Sequence, residues 1–172
     1  RQRAGSAGGS VRVIRAFDLQ VVRARMAGHE RVESLFDSDS YSGRPHPLSK
    51  LIVPEPLALA WAPFALRAAR TAHRERPFDC VLTTSPPESA HAIGAALQRR
   101  GVPWVADVRD AWTFEPLRPE FPTRLQRRLD GWLERRRLGA ADRVICVSEP
   151  AAAALRARGI AAPAVIANAW DP

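Results

Sequence analysis

Short apolar runs alternate with longer amphipathic stretches from Phe78 to the end of the chain, and this alternation constrains the fold more than any other feature of the sequence. The apolar runs have four to six residues and are rich in Val and Ile, which is typical of strands buried on both faces of a sheet. The amphipathic stretches have ten or more residues, enough for a helix that crosses from one strand to the next. The sequence therefore predicts an α/β fold, a Rossmann-like, open, mostly parallel sheet with helices on both faces.

Four strands and four helices are predicted from this pattern. The strands are Cys80–Thr84, Pro103–Asp107, Arg143–Val147 and Ala164–Ala167, and the helices are Leu57–Arg76, Glu88–Arg100, Thr123–Leu138 and Glu149–Arg158. Ser148 is the expected N-cap of the last helix. Gly101, Gly139 and Gly159 stand where three of the helices should end, since glycine readily adopts the conformation that terminates a helix.

The first 77 residues show a less regular pattern. Val11–Arg15 alternates like a strand, although Val11–Met26 also fits a helix with apolar residues on one face, and we favour the strand. Residues 37–49 combine turn formers with few apolar side chains and are predicted to form a flexible surface loop. The chain begins without Met and ends in the passage from a predicted strand to a loop, so we expect residues 1–172 to be one domain of a larger protein.

The net charge of +8 and the isoelectric point near 11.2 point to an acidic partner, such as nucleic acid, an anionic membrane surface or a phosphorylated substrate. Base composition offers another explanation, because 25 of the 26 basic residues are arginines and 30 residues are alanines, as a GC-rich genome would produce. No apolar stretch reaches the roughly 18 residues of a membrane span. Cys80 and Cys146 each lie in a short apolar run, which is typical of buried, reduced thiols and indicates a cytoplasmic protein.

The densest group of chemically useful side chains follows the second predicted strand. Ligands of an open α/β sheet bind at the carboxyl ends of the strands, and the sequence Asp107-Val108-Arg109-Asp110-Ala111-Trp112 stands at such an end. A carboxylate there can take a proton from an attacking hydroxyl, and the arginine can hold a phosphate or keep the carboxylate ionised. The alternative is an ion pair between arginine and aspartate that only braces the loop.

The loop after the first predicted strand offers a second set of polar groups. Ser85, Pro86 and Pro87 precede a helix whose free N–H groups and dipole favour an anion or a polar substrate. His91 lies one turn into this helix, within reach of the same cleft. The alternative is an ordinary capped turn followed by a histidine used for packing.

The predicted helix at residues 122–138 is basic and amphipathic. Leu125, Leu129, Trp132 and Leu133 share one face, and six arginines cover the rest. Such a helix most commonly packs its apolar face on the core. The other interpretation is peripheral contact with an anionic membrane, with the arginines over the head groups.

Several chemistries are excluded because their motifs are missing. The sequence has no Cys-x-x-Cys, His-Glu-x-x-His, Gly-x-Ser-x-Gly or P-loop motif. Gly5, Gly8 and Gly9 do not follow a strand with the spacing of a dinucleotide-binding loop. A zinc site, a P-loop and a nicotinamide or flavin cofactor are therefore not expected.

Four stretches of the sequence, in this order and spacing, resemble the N-terminal domain of family 4 glycosyltransferases: Phe78–Pro87, Pro103–Trp112, Ala141–Ser148 and Val165–Asn168. The most specific part is the Asp-x-Arg-Asp-x-Trp sequence, with Ser-Pro-Pro upstream and an asparagine downstream. The resemblance covers about residues 51–172. The sequence departs from the family pattern at Ala169, where glycine is common, and in lacking a clear glycine-rich loop after the first strand.

The resemblance implies the acceptor-side half of a GT-B enzyme, with a C-terminal domain, absent from this chain, that binds most of a nucleotide-sugar donor. It implies sugar transfer with retention of configuration, without a metal or other cofactor, to a cell-envelope or lipid-linked glycan at the inner face of the membrane. Asp107, Arg109 and Asp110 match the segment that faces the reaction centre, and Asp110 is expected to orient or deprotonate the acceptor hydroxyl. The expected substrate-binding residues are Ser85, Pro86, Pro87, His91, Trp112, Ser148 and Asn168.

Two other classes of protein stay open. The chain is alternatively a basic nucleic-acid-binding α/β module, or a domain without catalytic activity that only binds a partner. A nucleic-acid partner is not expected, because the sequence has neither the usual aromatic platform nor a recognised nucleic-acid-binding motif.

Overall fold

A computed structural model of the chain describes residues 11–19, 52–55, 57–110, 112–114 and 121–168. The elements are α1 (Leu57–Ala60), α2 (Ala62–Glu75), β1 (Val81–Ser85), α3 (Ala90–Gln98), β2 (Trp104–Val108), α4 (Arg124–Leu138), β3 (Arg143–Cys146), α5 (Glu149–Ala157) and β4 (Ala164–Val165). They confirm the four predicted strands and the predicted helices, although the first helix is divided at Trp61. The loop predicted at residues 37–49 and position 169 lie outside the described residues.

The four strands form one sheet in the order β1-β2-β3-β4, and every neighbouring pair is parallel. Because crossovers between parallel strands are nearly always right-handed, the sequential strand order places α3, α4 and α5 on the same face of the sheet. Trp104 and Cys146 point toward these helices and form the core with Leu138 and Leu155. The predicted α/β class and open parallel sheet are therefore confirmed. The predicted helices on both faces are present on one face only within the described residues: the three crossover helices cover that face, and on the other face Leu82 is 64% exposed.

Trp104 is, with Trp112, one of the two largest fully buried side chains of the described residues, and it sets how closely α3 approaches the sheet. A Cβ atom added to Gly94 of α3 would lie 2.1 Å from Trp104 Nε1, so packing requires glycine at this position. The same Nε1–H donates a hydrogen bond to Thr83 Oγ1 at 2.7 Å, which ties β2 to β1 inside the core. The indole thus fixes both the distance of the helix and the pairing of the two strands.

The segment at the start of the described residues forms neither helix nor strand up to residue 18, so the predicted strand at Val11–Arg15 is wrong. A strand needs a neighbour for its backbone hydrogen bonds, and no described strand pairs with this segment. Side chains fasten it instead. Arg12 forms an ion pair with Glu75 at 2.9 Å, and the ring of Phe17 packs edge-on against Phe64 with centroids 5.0 Å apart.

Most helix ends follow the predicted signals, although Gly139 ends α4 with an ordinary helical φ of −68°. Ser148 caps α5, because its side chain accepts a hydrogen bond from a backbone N–H of the first turn at 3.4 Å. Thr123 and Gln126 form a capping box at the start of α4. Gly101 and Gly159 have φ angles of 87° and 85°, a conformation that glycine adopts without strain at the end of a helix.

The two cysteines differ in exposure. Cys146 is buried, as predicted, whereas Cys80 is exposed because it precedes β1 and does not share the buried face of that strand. Both thiols are free. No helix in the described part of the chain is long and apolar enough to cross a membrane.

Candidate active site at the carboxyl edge of the sheet

Asp107 lies within β2, one residue before its carboxyl end. Thr84 Oγ1 on the neighbouring strand donates a hydrogen bond to Asp107 Oδ2 at 2.8 Å, and the two residues are direct partners in the register of β1 and β2. Ser85 Oγ donates a longer hydrogen bond, of 3.5 Å, to the backbone carbonyl oxygen of Asp107. The Asp107 carboxylate is therefore oriented by β1 while it stays partly exposed at the edge of the sheet.

Arg109 and Asp110 follow directly after β2, and both are exposed. Within the described residues, neither side chain forms a hydrogen bond or an ion pair, either with the other or with a third residue. The bracing ion pair that the sequence left as an alternative is thus not formed in this structure. An exposed guanidinium beside an exposed carboxylate leaves both charged groups accessible to a ligand.

The segment after Asp110 is fastened to α4 by two buried carboxylates. Trp112 Nε1–H donates a hydrogen bond to Asp130 Oδ1 at 2.9 Å. Thr113 donates twice to Glu134, from its backbone N–H at 3.2 Å and from its hydroxyl at 2.6 Å. Sequence reasoning missed both carboxylates, because the apolar residues of this basic helix predicted that a different face would be buried.

Arg158 joins this anchor from the end of α5. Its Nε lies 3.2 Å from Thr113 Oγ1 and 3.5 Å from Glu134 Oε2. Its guanidinium also stacks on the ring of Phe114, 4.4 Å from the centroid. The loop after β2 is thus held from two helices.

Glu55 occupies the place that the sequence predicts for an anion, the N-terminus of α3. Its Oε1 accepts a hydrogen bond from Ser89 N–H at 3.0 Å, and its Oε2 is buried without a hydrogen-bond partner. Burial, and then repulsion by the Glu88 carboxylate, raises the pKa of Glu55 from 4.5 to about 7. Sequence reasoning missed both glutamates. Glu55 stands between two prolines and belongs to no motif, whereas Glu88 directly follows the Ser-Pro-Pro sequence, which is the signal that could have identified it.

His91 and Trp112 pack against each other inside the domain. The rings are nearly parallel, with centroids 6.1 Å apart, and His91 Nδ1 lies 2.9 Å from Thr83 Oγ1. Burial, and to a lesser degree the positive charge of Arg137, lowers the pKa of His91 from 6.5 to about 4, so the ring is neutral at pH 7. Both side chains are almost wholly buried and support the loop after β2 from within; their predicted contact with substrate stays a prediction.

The remaining predicted substrate-binding residues lie along one edge of the sheet, because they follow the carboxyl ends of neighbouring parallel strands. Pro86 is exposed and Pro87 half-buried after β1, Ser148 is half-buried after β3, and Asn168 is exposed beyond β4. Within the described residues, no group of His, Cys, Asp or Glu side chains has an arrangement that could hold a metal ion.

Three apolar residues of α4 face outward. Leu125, Leu129 and Trp132 are 77%, 43% and 47% exposed, so the commoner interpretation of this stripe, packing on the core, is wrong for these three side chains. Leu133 alone of the predicted apolar face packs against the core. The guanidinium of Arg136 stacks on Trp132 at 5.2 Å, and further exposed arginines flank the stripe.

A parallel sheet with exposed polar side chains along its carboxyl edge defines a ligand-binding domain of the α/β class. The family of glycosyl transferase 4-like domains matches residues 6–169, nearly the whole chain, and the chain belongs to this family. It is therefore a glycosyltransferase domain, which confirms the resemblance drawn from the sequence. Neither a curated protein nor a solved structure matches the chain.

Proposed function

We propose that this domain forms the acceptor-side half of the active site of a retaining glycosyltransferase, which uses a nucleotide-sugar donor and a cell-envelope or lipid-linked glycan acceptor. One observation carries the proposal. Arg109 and Asp110 are exposed at the carboxyl end of β2, beside the oriented Asp107 carboxylate, and have no partners within the described residues. Unpaired charges at this edge of an α/β sheet are expected where a ligand supplies the partner.

The three side chains suit different parts of the transfer. Asp110 orients the acceptor hydroxyl and takes its proton as the new bond from oxygen to the anomeric carbon forms. Arg109 pairs with a phosphate of the donor, where the leaving diphosphate gains negative charge as the old glycosidic bond breaks. Asp107, held by Thr84, contributes a fixed hydrogen-bond acceptor for a sugar hydroxyl. The mechanism needs no bound metal, and a C-terminal domain would bind most of the donor.

The test is release of nucleoside diphosphate by the full natural polypeptide, supplied with a panel of nucleotide-sugars and an envelope-lipid extract. Asp110→Asn should lower kcat by about 100-fold or more, as expected for loss of a general base. The matched control is Asp79→Asn, an exposed aspartate that precedes β1 at the opposite end of that strand, which should leave kcat unchanged. Retention is checked from the anomeric configuration of the product. The role of Asp110 would be contradicted if both variants lost activity equally, or if neither variant lost activity.

The outer face of α4 supports peripheral contact with an anionic membrane on the cytoplasmic side. Its exposed Leu125, Leu129 and Trp132 are apolar enough to enter the head-group region, and flanking arginines attract acidic lipid. Co-sedimentation with vesicles containing acidic phospholipid should therefore exceed that with neutral vesicles. Leu125→Glu should abolish the difference, whereas Leu59→Glu, at an exposed leucine of α1, should preserve it. Equal binding to both vesicle types would contradict this part of the proposal.

A further inference from the structure

Two buried carboxylates of α4 bond consecutive residues of the loop that carries Arg109 and Asp110. Asp130 accepts from Trp112, and Glu134 accepts twice from Thr113. The two carboxylates are four residues apart, so they lie one above the other on the same face of the helix. This spacing allows a short stretch of the loop to run alongside α4 and to form hydrogen bonds with both carboxylates.

The burial of two carboxylates at this place is energetically unfavourable by itself, so their presence needs a structural reason. Asp130 is 4% exposed and Glu134 is 0% exposed, and burial of a charged group costs free energy unless it is paired and hydrogen-bonded. Arg158 lies 3.5 Å from Glu134, and Arg137 attracts Asp130 electrostatically. Apolar residues of similar size in place of the carboxylates and their arginine partners together would fill the same space with similar stability. What they would not supply is a directed hydrogen bond to each of two loop residues.

The loop is fixed at both ends, close to its charged residues. At one end Asp107 belongs to β2 and accepts a hydrogen bond from Thr84. At the other end Trp112 is anchored only two residues after Asp110. Since two residues span at most about 7 Å, the anchored Trp112 limits how far Asp110 can move.

We propose that Asp130 and Glu134 are positioning residues that hold Arg109 and Asp110 in the geometry required for sugar transfer. They act through Trp112 and Thr113 and do not touch substrate. This inference rests on the proposed function of Asp110. Because the role is a hydrogen bond of fixed direction, the neutral amide of asparagine at position 130 can replace the carboxylate, whereas alanine cannot.

The experiment compares Asp130→Ala with Asp130→Asn in the full natural polypeptide. Asp130→Ala should lower kcat roughly 10- to 100-fold, the effect expected of a misplaced reacting group, with KM for the donor changed less than about twofold. Asp130→Asn should restore kcat to within about threefold of wild type, because its amide oxygen still accepts the Trp112 hydrogen bond. The control for lost stability is Leu97→Ala, which opens a cavity in the core beside α3 and should leave kcat unchanged below its Tm.

Hydrogen exchange provides a readout that does not depend on turnover. Asp130→Ala should accelerate exchange in a peptide covering residues 107–114 and not in β1, whereas Asp130→Asn should accelerate neither. The proposal is overturned if exchange in this peptide is unchanged in Asp130→Ala, or if exchange rises while kcat stays at the wild-type value. If the wild-type polypeptide turns over no donor, the proposed function fails, and the exchange result then shows separately whether Asp130 anchors the loop.

Discussion

Glu55 and His91 give opposite pH dependences to the stability of the domain, and one substitution should separate them. The fold raises the pKa of Glu55 from 4.5 to about 7, because burial and then Glu88 disfavour the charged carboxylate. The folded chain therefore binds this proton more tightly than the unfolded chain does. The stability that Glu55 contributes is fully present below pH 4.5 and is lost as the pH rises to about 7.

His91 behaves in the reverse sense. Its pKa falls from 6.5 to about 4, because burial and the Arg137 charge disfavour the imidazolium ion. The unfolded chain binds this proton more tightly, so stability is lost as the pH falls from 6.5 toward 4. Each group changes the free energy of unfolding by about 1.4 kcal/mol per pH unit over its range. The two slopes oppose each other between pH 4.5 and pH 6.5, where their contributions nearly cancel in the wild-type domain.

Glu55→Gln removes one of the two slopes. Relative to wild type, the free energy of unfolding of this variant should rise by about 2 kcal/mol between pH 4.5 and pH 6.5, whatever its stability at the lower pH. His91→Asn should show the reverse slope. The assay is urea unfolding followed by tryptophan fluorescence at several pH values. A Glu55→Gln profile that runs parallel to the wild-type profile would refute the raised pKa and the burial that causes it.

Three further expectations concern packing and exposure. Gly94→Ala should lower the free energy of unfolding by about 3 kcal/mol, because the new methyl group collides with the indole of Trp104. Urea unfolding measures this free energy. Gly131→Ala, inside α4 with only a flexible arginine nearby, should instead raise it by about 0.5 to 1 kcal/mol in the same assay. In the native protein a thiol reagent should modify Cys80 promptly and Cys146 only after unfolding, since burial shields the second thiol and raises its pKa; mass spectrometry of the labelled peptides would reveal an opposite order.

The sheet was predictable because its signal is local. Runs such as the one at Arg143–Cys146 are short, β-branched and bounded by helix signals, and the structure places a strand at each of them. Val11–Arg15 has the same alternation but no described strand to pair with, and pairing depends on distant parts of the chain. The family, and the position of the candidate site at the carboxyl edge of the sheet, were predicted from the order of motifs along the chain, which is also a property of the sequence.

The buried carboxylates that stabilise the candidate site were not predictable in this way. Hydrophobic periodicity assigns leucines to the core and carboxylates to solvent, yet α4 exposes Leu125 and buries Glu134. Glu134 is buried because it accepts hydrogen bonds from Thr113, which lies in a loop 21 residues earlier. No local pattern encodes such a partner. Glu55 is a similar case, since its partner Ser89 lies 34 residues away.

The two sides of α4 belong to one rigid rod. Trp132 on its outer side and Asp130 on its inner side are separated by a single residue, so neither can shift without the other. Any body that presses on the outer stripe therefore moves the hydrogen-bond acceptors that hold the loop. A change in the tilt of α4 would therefore displace Asp130 and Glu134 together with the outer stripe, and with them the hydrogen bonds to Trp112 and Thr113.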